Sequence, residues 1–383
     1  MKRNILLMNL LVMALWMGVY AYVPTLQAYG ISLGATAMTL GVIGGMYGAA
    51  QIVLRVPLGV LADKTGKSKL LMVVGALCCM ASNIVFLCGS SVETRILGRL
   101  LAGVTAAFWV IASAMYANYH TEDRQVYAQG RLSAFSSIGK VGAALLCGVI
   151  AQMLSLWATF IPALIGSGMM LVCALLIKDN TTKKSPLPVS AFLSVFKNRQ
   201  VIFCSVFSIV AQMVCFGAAS TFSQVAAQEA GATGFELGML IVVFFGATTL
   251  ASFFVGSRLY RKMGGFSALI LAFCIGLVAC IPMFYRSGLW LIYLMQILSG
   301  ISYGVTTSCH AGFVILAVKK EFRTAATGVY QSLYAVGITL GPLLAGALIE
   351  YISFDAAYFV FAGMMAASAV LTPILLDKKF NRA

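Results

Sequence analysis

Arg55, Arg99, Lys140 and His310 stand inside long apolar stretches of the chain, accompanied by the amides Gln51, Gln152, Gln212, Gln296 and Gln331. These side chains suit recognition: guanidinium and ammonium groups hold anions, amides donate or accept, and histidine exchanges protons near neutral pH. Carboxylates that would complete an acid–base pair lie elsewhere. Asp63, Glu122, Asp123, Asp179, Glu321 and Asp377 fall at one alternate set of connections between the apolar runs, and Glu93, Glu229, Glu236, Glu350 and Asp355 at the other, which accounts for all 11 acidic residues. An intramembrane Asp or Glu alternating between a proton and a cation is therefore not encoded. Cys309 beside His310 suggests a nucleophile and its base, but adjacent helical residues point about 100° apart and do not face each other. The 10 cysteines lack CxxC or CxxH spacing, so neither a metal site nor a disulfide framework is expected. With no phosphate-cradling loop, heme-ligand pair or zinc spacing, the sequence reads as a non-enzyme without a cofactor.

Lys140 is the deepest lysine, about ten residues or 15 Å of helix into its apolar run. An ammonium there is paired, neutralised by desolvation, or matched to an anion, and the last two outweigh a silent role. Arg55 has two readings, a structural pair near Asp63 two turns on or a cavity lining; Gln51, one turn earlier on the same face, supports the cavity. His310 is the histidine that falls within a span, either as a proton carrier or as a hydrogen-bonded link between helices.

The elements that must position these groups are apolar helices. A hydrocarbon core about 30 Å thick takes roughly 20 apolar residues. Twelve runs qualify, at about 5–27, 38–62, 69–89, 93–117, 130–152, 156–177, 200–224, 236–258, 265–284, 288–316, 324–350 and 355–376. With 61% hydrophobic and 10% charged residues, the chain is a polytopic membrane protein without a soluble domain. Most of its 26 basic residues lie at alternate connections, from Lys2 and Arg3 through Lys64, Lys67 and Lys69 to Lys378, Lys379 and Arg382, while Arg95 and Arg286 lie near the opposite face. Basic residues in short loops stay cytoplasmic, so both termini are expected inside a cell membrane. The net charge of +15 is then a topology signal and an attraction to anionic headgroups, not a nucleic-acid surface. Lys2 and Arg3 precede a run too long for a signal peptide and without a small-residue cleavage pattern, so it is expected to remain as the first helix.

The chain also repeats. Residues 1–177 form one expected six-helix bundle, 178–199 a polar cytoplasmic connection, and 200–383 a second bundle. Arg99-Leu-Leu-Ala-Gly103 in the fourth span matches Gln296-Ile-Leu-Ser-Gly300 in the tenth, and Gly59, Gly130 and Gly139 match Gly256, Gly328 and Gly337 at nearly the same offset. Repeats of this kind place a solute site between halves near the bilayer midplane, with access alternating as one half rocks against the other.

After the second span comes Gly59-Val-Leu-Ala-Asp63-Lys64-Thr-Gly66-Lys67-Ser-Lys69, which resembles the G-x-L-x-D-[RK]-x-G-[RK]-x-[RK] motif of the major facilitator superfamily. The resemblance implies an all-α membrane fold of twelve helices in two pseudo-symmetric bundles. It also implies a cytoplasmic latch at Gly59, Asp63, Lys64, Gly66 and Lys67. Gly59 and Gly66 suit a turning backbone and a close helix approach, and Asp63 suits the electropositive amino end of a helix. The second-half copy, Gly256 to Gly264, has Tyr260 where Asp63 would be, so the first latch is expected to dominate. Arg99-x-x-x-Gly103 is similar to the superfamily's arginine motif, associated there with proton or substrate handling; snorkelling to the outer end is the bland alternative.

Drug and metabolite antiporters of this superfamily carry a glycine-rich motif in the fifth helix, where this chain has Lys140-Val141-Gly142 instead of a Gly-Pro pair. The better copy is Gly328-x8-Gly337-x3-Gly341-Pro342 in the eleventh span, expected as a close-packing helix with a hinge. The resemblance further implies that Tyr20, Trp109, Tyr330 and Tyr334 line a cavity with Gln331 beside them, whereas Trp16, Tyr47 and Tyr303 read as packing or interface belt. Without an ATP-binding domain, transport is driven by a gradient. The expected function is secondary transport of a small organic solute, as an exporter of drug or metabolite antiporter type, with protons as a possible partner and a monomer sufficing. An organic-anion importer or exchanger using Lys140 and Arg99 as counter-charges is the alternative, and a non-cycling transporter-like sensor a third reading.

Overall fold

The computed structural model describes residues 2–120, 125–179, 194–255, 262–285, 288–319 and 322–377. Most of the expected 178–199 connection, most of the Gly256–Gly264 copy of the latch, and Arg286 lie outside them. Twelve helices among the described residues are long and apolar enough to cross a membrane: α1 (Arg3–Ser32), α2 (Ala37–Thr65), α3 (Ser68–Cys88), α4 (Val92–Asn118), α5 (Gly130–Met153), α6 (Trp157–Leu176), α7 (Arg199–Glu229), α8 (Gly234–Val255), α9 (Gly265–Tyr285), α10 (Leu289–Ala317), α11 (Ala325–Tyr351) and α12 (Phe354–Leu375). In hydrocarbon every backbone polar group needs an internal partner, which selects helices for such runs. Short polar connections then cap them. Ser91 Oγ accepts the Thr94 N–H at the start of α4, and Asn198 Oδ1 accepts Gln200 and Val201 N–H at the start of α7. Thr233 and Glu236 exchange bonds before α8, where the Thr233 N–H donates to Glu236 and the Glu236 N–H to Thr233 Oγ1.

Several helices depart from regular winding, among them α1, α4 and α7. α1 turns at Ala21–Tyr22, just before Pro24, and α4 breaks at Phe108. α7 runs as a π-helix over Val214–Phe222. Widened winding displaces carbonyls from their usual partners, and side chains from two other helices meet them: Tyr358 OH donates to Ala218 O at 3.1 Å and Gln296 Nε2 to Ala219 O at 2.8 Å. Gln296 thus has a structural task in α10.

The chain forms two compact units. One comprises Met1–Gly34, Ala49–Pro186 and Thr233–Val242, the other Ala35–Gly48, Leu187–Ala232 and Val243–Ala383. In the first, α1 packs on α5 and α6, and α3 on α4 and α6. Asn83 of α3 pins this arrangement, its Nδ2 donating to Gly18 O of α1 at 3.1 Å and Ala163 O of α6 at 3.0 Å. In the second, α7 packs on α10 and α11, and α9 on α10 and α12. The first half of α2 belongs to this unit, where Gly44 faces Pro342 so closely that an added Cβ would lie 2.8 Å from the proline Cβ.

Candidate functional site: intramembrane cations and their aromatic surroundings

Within the first unit, α1, α4 and α5 bring four of the polar and aromatic residues together. Trp16 and Tyr20 lie one turn apart on α1, their rings 5.6 Å apart and edge-on, and Trp109 from the start of the second segment of α4 stands 5.5 Å from Trp16. Lys140 Nζ sits 4.0 Å from the centre of the Trp16 ring and 5.4 Å from that of Tyr20. An ammonium over an indole face is held by the ring's negative quadrupole, worth about 0.5–2 kcal/mol. Trp16 and Tyr20 are buried at 7% exposure, while Lys140 and Trp109 are half-buried. Trp16, read from the sequence as packing, is the centre of this cluster. Its spacing of four from Tyr20 was the available signal.

Arg55 Nη2 donates to Gln51 Oε1, one turn earlier on the same face of α2, and both are buried. Arg99 is buried at 5% exposure on α4 and lies beside the Tyr22 phenol of α1. Arg95, placed by sequence near the outer face, is fully buried in the first turn of α4. Its guanidinium donates to Phe86 O and Gly89 O and lies over the rings of Tyr29, Phe86 and Phe160.

The second unit gathers His310, Tyr330 and Tyr334. Ser208 Oγ of α7 lies 3.0 Å from His310 Nδ1 and 2.9 Å from Tyr330 OH, so one hydroxyl joins α7, α10 and α11. His310 is completely buried between Phe207 and Phe273, and Tyr330 meets Tyr334 edge-on at 5.2 Å. Tyr330 is itself 5% exposed and Gln331 half-buried, so in this conformation the Tyr330 hydroxyl serves the packed interior of the unit. Ser208 was missed by sequence reasoning; an isolated serine in an apolar run carries no pattern. Tyr303 donates to Gln212 Oε1 at 3.2 Å.

The Gly59–Lys67 segment, expected from the sequence as a latch, ends in a tight turn. α2 runs to Thr65, Gly66 takes φ 64°, and its N–H closes on Ala62 O at 2.9 Å. A side chain with a Cβ is strained at that angle. Asp63 occupies the last turn of α2, Lys64 and Lys67 are exposed, and a Cβ at Gly59 would lie 3.6 Å from Val110, an ordinary contact. Asp179, after α6, accepts the Lys69 N–H at 2.9 Å, placing a carboxylate at the amino end of α3. Nearby, Tyr119 OH donates to Lys178 O, and burial, with the Asp179 carboxylate adding to it, pushes its phenol up to about 12. That donor stays protonated at physiological pH.

The glycines of α11 divide in two. A Cβ at Gly337 would overlap Ile209 O and one at Gly341 would overlap Met213 O, both on α7, whereas Gly328 has open space around it. Pro342 is buried within the continuous helix and Gly103 is buried on α4. Gly41, Gly44, Gly45 and Gly48 of α2 meet α11 as closely, at Thr339, Pro342 and Gly346.

Comparison with known proteins follows the same lines. The family model described as Major Facilitator Superfamily matches residues 8–289 and 207–382. The chain is 24% identical over 371 residues to the Inner membrane transport protein YajR of Escherichia coli, covering 93% of this chain and 79% of that one. It is 21% identical over 385 residues to the Quinolone resistance protein NorA of Staphylococcus aureus, covering 99% and 97%. The crystal structure of the nucleoside transporter NupG superposes with a TM-score of 0.76 at 16% identity, covering 97% of this chain and 98% of that one.

Proposed function

The chain belongs to the major facilitator superfamily, and from that membership we propose that it is a secondary transporter exporting a small organic solute by alternating access, in the manner of drug and metabolite antiporters. The observation that carries export is the end-to-end similarity to a quinolone resistance protein, because a carrier protects a cell from a drug by expelling it. In this proposal the protein is a monomer in the cell membrane with both termini cytoplasmic. The Gly59–Lys67 segment is its latch, Gly337, Gly341 and Pro342 let α11 pack and bend, and the 178–199 connection joins its two bundles. His310, tied to Tyr330 through Ser208, is the group proposed to carry a coupling proton, since the membrane-spanning segments hold carboxylates only near their ends.

The test is accumulation of a panel of fluorescent drugs and organic acids in a host lacking its own efflux pumps. Export predicts lower accumulation in expressing cells and restoration by a protonophore. Raised accumulation would reverse the direction and favour an importer or exchanger. Unchanged accumulation across a panel that nonetheless binds the purified protein would favour a sensor.

A further inference from the structure

We propose that the Trp16–Tyr20–Trp109–Lys140 cluster is the recognition site for the transported solute, and that the solute is a planar aromatic anion such as an aromatic carboxylate. The proposal rests on the transporter reading above and names the substrate class that reading leaves open.

Charge and shape carry it together. The membrane-spanning part of the first unit places three cations, Arg55, Arg99 and Lys140, well inside its helices, while its described carboxylates, Asp63, Glu93, Asp179 and Glu236, lie within the first or last turn of a helix or in a connection. A low-dielectric region with that charge distribution has a positive potential and concentrates anions. A cationic solute meets the repulsion of the same groups.

Lys140 lies among rings. Its ammonium lies 4.0 Å above Trp16 and 5.4 Å from Tyr20, and Trp109 adjoins Trp16 at 5.5 Å. The Trp16 and Tyr20 rings orient the ammonium without adding formal negative charge, and an ammonium attracts a carboxylate through a charge-assisted hydrogen bond. Lys140 and Trp109 are the half-buried members of the cluster, Trp16 and Tyr20 the buried ones. A ring laid beside Trp109 with its carboxylate on Lys140 Nζ would use both. Offset or edge-on geometry, the arrangement in which Trp16, Tyr20 and Trp109 already meet, suits a third or fourth flat ring.

The experiment measures binding of an isosteric series to the purified full-length protein in detergent, by calorimetry and by quenching of tryptophan fluorescence. The probes are 1-naphthoate, the neutral 1-naphthamide, the cation 1-naphthylmethylammonium, and acetate as a ringless anion. Wild type is expected to bind naphthoate at least tenfold more tightly than the amide and the ammonium, and acetate weakly. Lys140→Gln is expected to lose at least tenfold for naphthoate and to leave the amide unchanged, with Lys140→Arg recovering most of the loss. The wild-type series decides the matter even if a variant fails to fold: amide or ammonium binding as tightly as naphthoate overturns the proposal, as does the absence of naphthoate binding. Undiminished naphthoate binding by well-folded Lys140→Gln overturns it too. Movement is read separately in proteoliposomes. Energised movement of a lipophilic cation without naphthoate binding overturns the substrate class and leaves the transporter reading standing; Lys140-dependent naphthoate binding without movement supports the site and overturns transport.

Discussion

Replacing Arg95 tests whether a fully buried guanidinium stabilises the first unit or merely survives there. Its Nη atoms donate to Phe86 O and Gly89 O at the carboxyl end of α3, and its carbon centre lies 4.9 Å from the Tyr29 ring, 5.5 Å from Phe86 and 5.0 Å from Phe160. Tyr29 is on α1 and Phe160 on α6, so one side chain at the head of α4 fastens α1, α3 and α6. Two hydrogen bonds to a charged donor contribute about 1.5–3 kcal/mol each, and the ring contacts add about 0.5–2 kcal/mol. Against them stands the desolvation of a guanidinium, still several kcal/mol after relaxation. A net loss of about 2–4 kcal/mol is expected for Arg95→Met, a change that keeps bulk and removes the donors. Arg95→Lys should recover less than half, because a single ammonium does not reproduce the planar fork that reaches two carbonyls at once. Denaturant melts in one detergent, monitored by tryptophan fluorescence and far-ultraviolet dichroism, read both variants. If Arg95→Met is as stable as wild type or more so, desolvation outweighs the bonds, and the assignment of Arg95 as a clamp is wrong.

Gly337→Ala and Gly341→Ala should each destabilise by about 1–3 kcal/mol, since a Cβ collides with a backbone carbonyl of α7. Gly328→Ala should be neutral or stabilising by up to about 1 kcal/mol through helix propensity; three equal thermal melts would refute the division. Ser208→Ala should cost about 1–3 kcal/mol, because it removes the common partner of His310 and Tyr330. A melt unchanged from wild type would show that the hydroxyl bridge is dispensable. Gly66→Ala should destabilise by about 1 kcal/mol at φ 64°, and Gly66→Asn by less, since Asn tolerates left-handed backbone; equal losses would remove backbone strain as the cause.

What the sequence made legible follows from the range of each interaction. The twelve spans were readable because the bilayer imposes length and polarity residue by residue. The Gln51–Arg55 pair was readable because both members share one helix face one turn apart. Gly41, Gly44, Gly45 and Gly48 were not singled out in the sequence, although they too stand at short local spacings; their role shows only in the close approach to α11. The Ser208 bridge spans 102 residues to His310 and 122 to Tyr330, a separation that no window of sequence relates. The burial of Arg95 was not legible for the same reason: its position near a helix end can be read from the chain, but the rings that bury it come from three other helices. The π-helix of α7 had no proline to announce it, and its stability depends on Tyr358 and Gln296 arriving from elsewhere.

The intramembrane cations of the first unit illustrate how surroundings, more than depth, decide function. Arg95 donates to two carbonyl oxygens and is fully buried among three rings, an arrangement that leaves a solute no approach. Arg55 gives a hydrogen bond to the amide one turn away and is buried with it. Lys140 is held by ring faces that are polarisable but uncharged, on a flexible stem, at a half-buried edge beside Trp109. The first two arrangements commit guanidinium donors to carbonyl or amide oxygens, whereas the third holds an ammonium against ring faces. A carrier needs an attraction strong enough to select a solute and weak enough to release it. An ammonium on a flexible stem against ring faces meets that requirement better than a guanidinium bonded to backbone oxygens, and this is the physical reason to expect discrimination between anion and amide at Lys140 and not at Arg95.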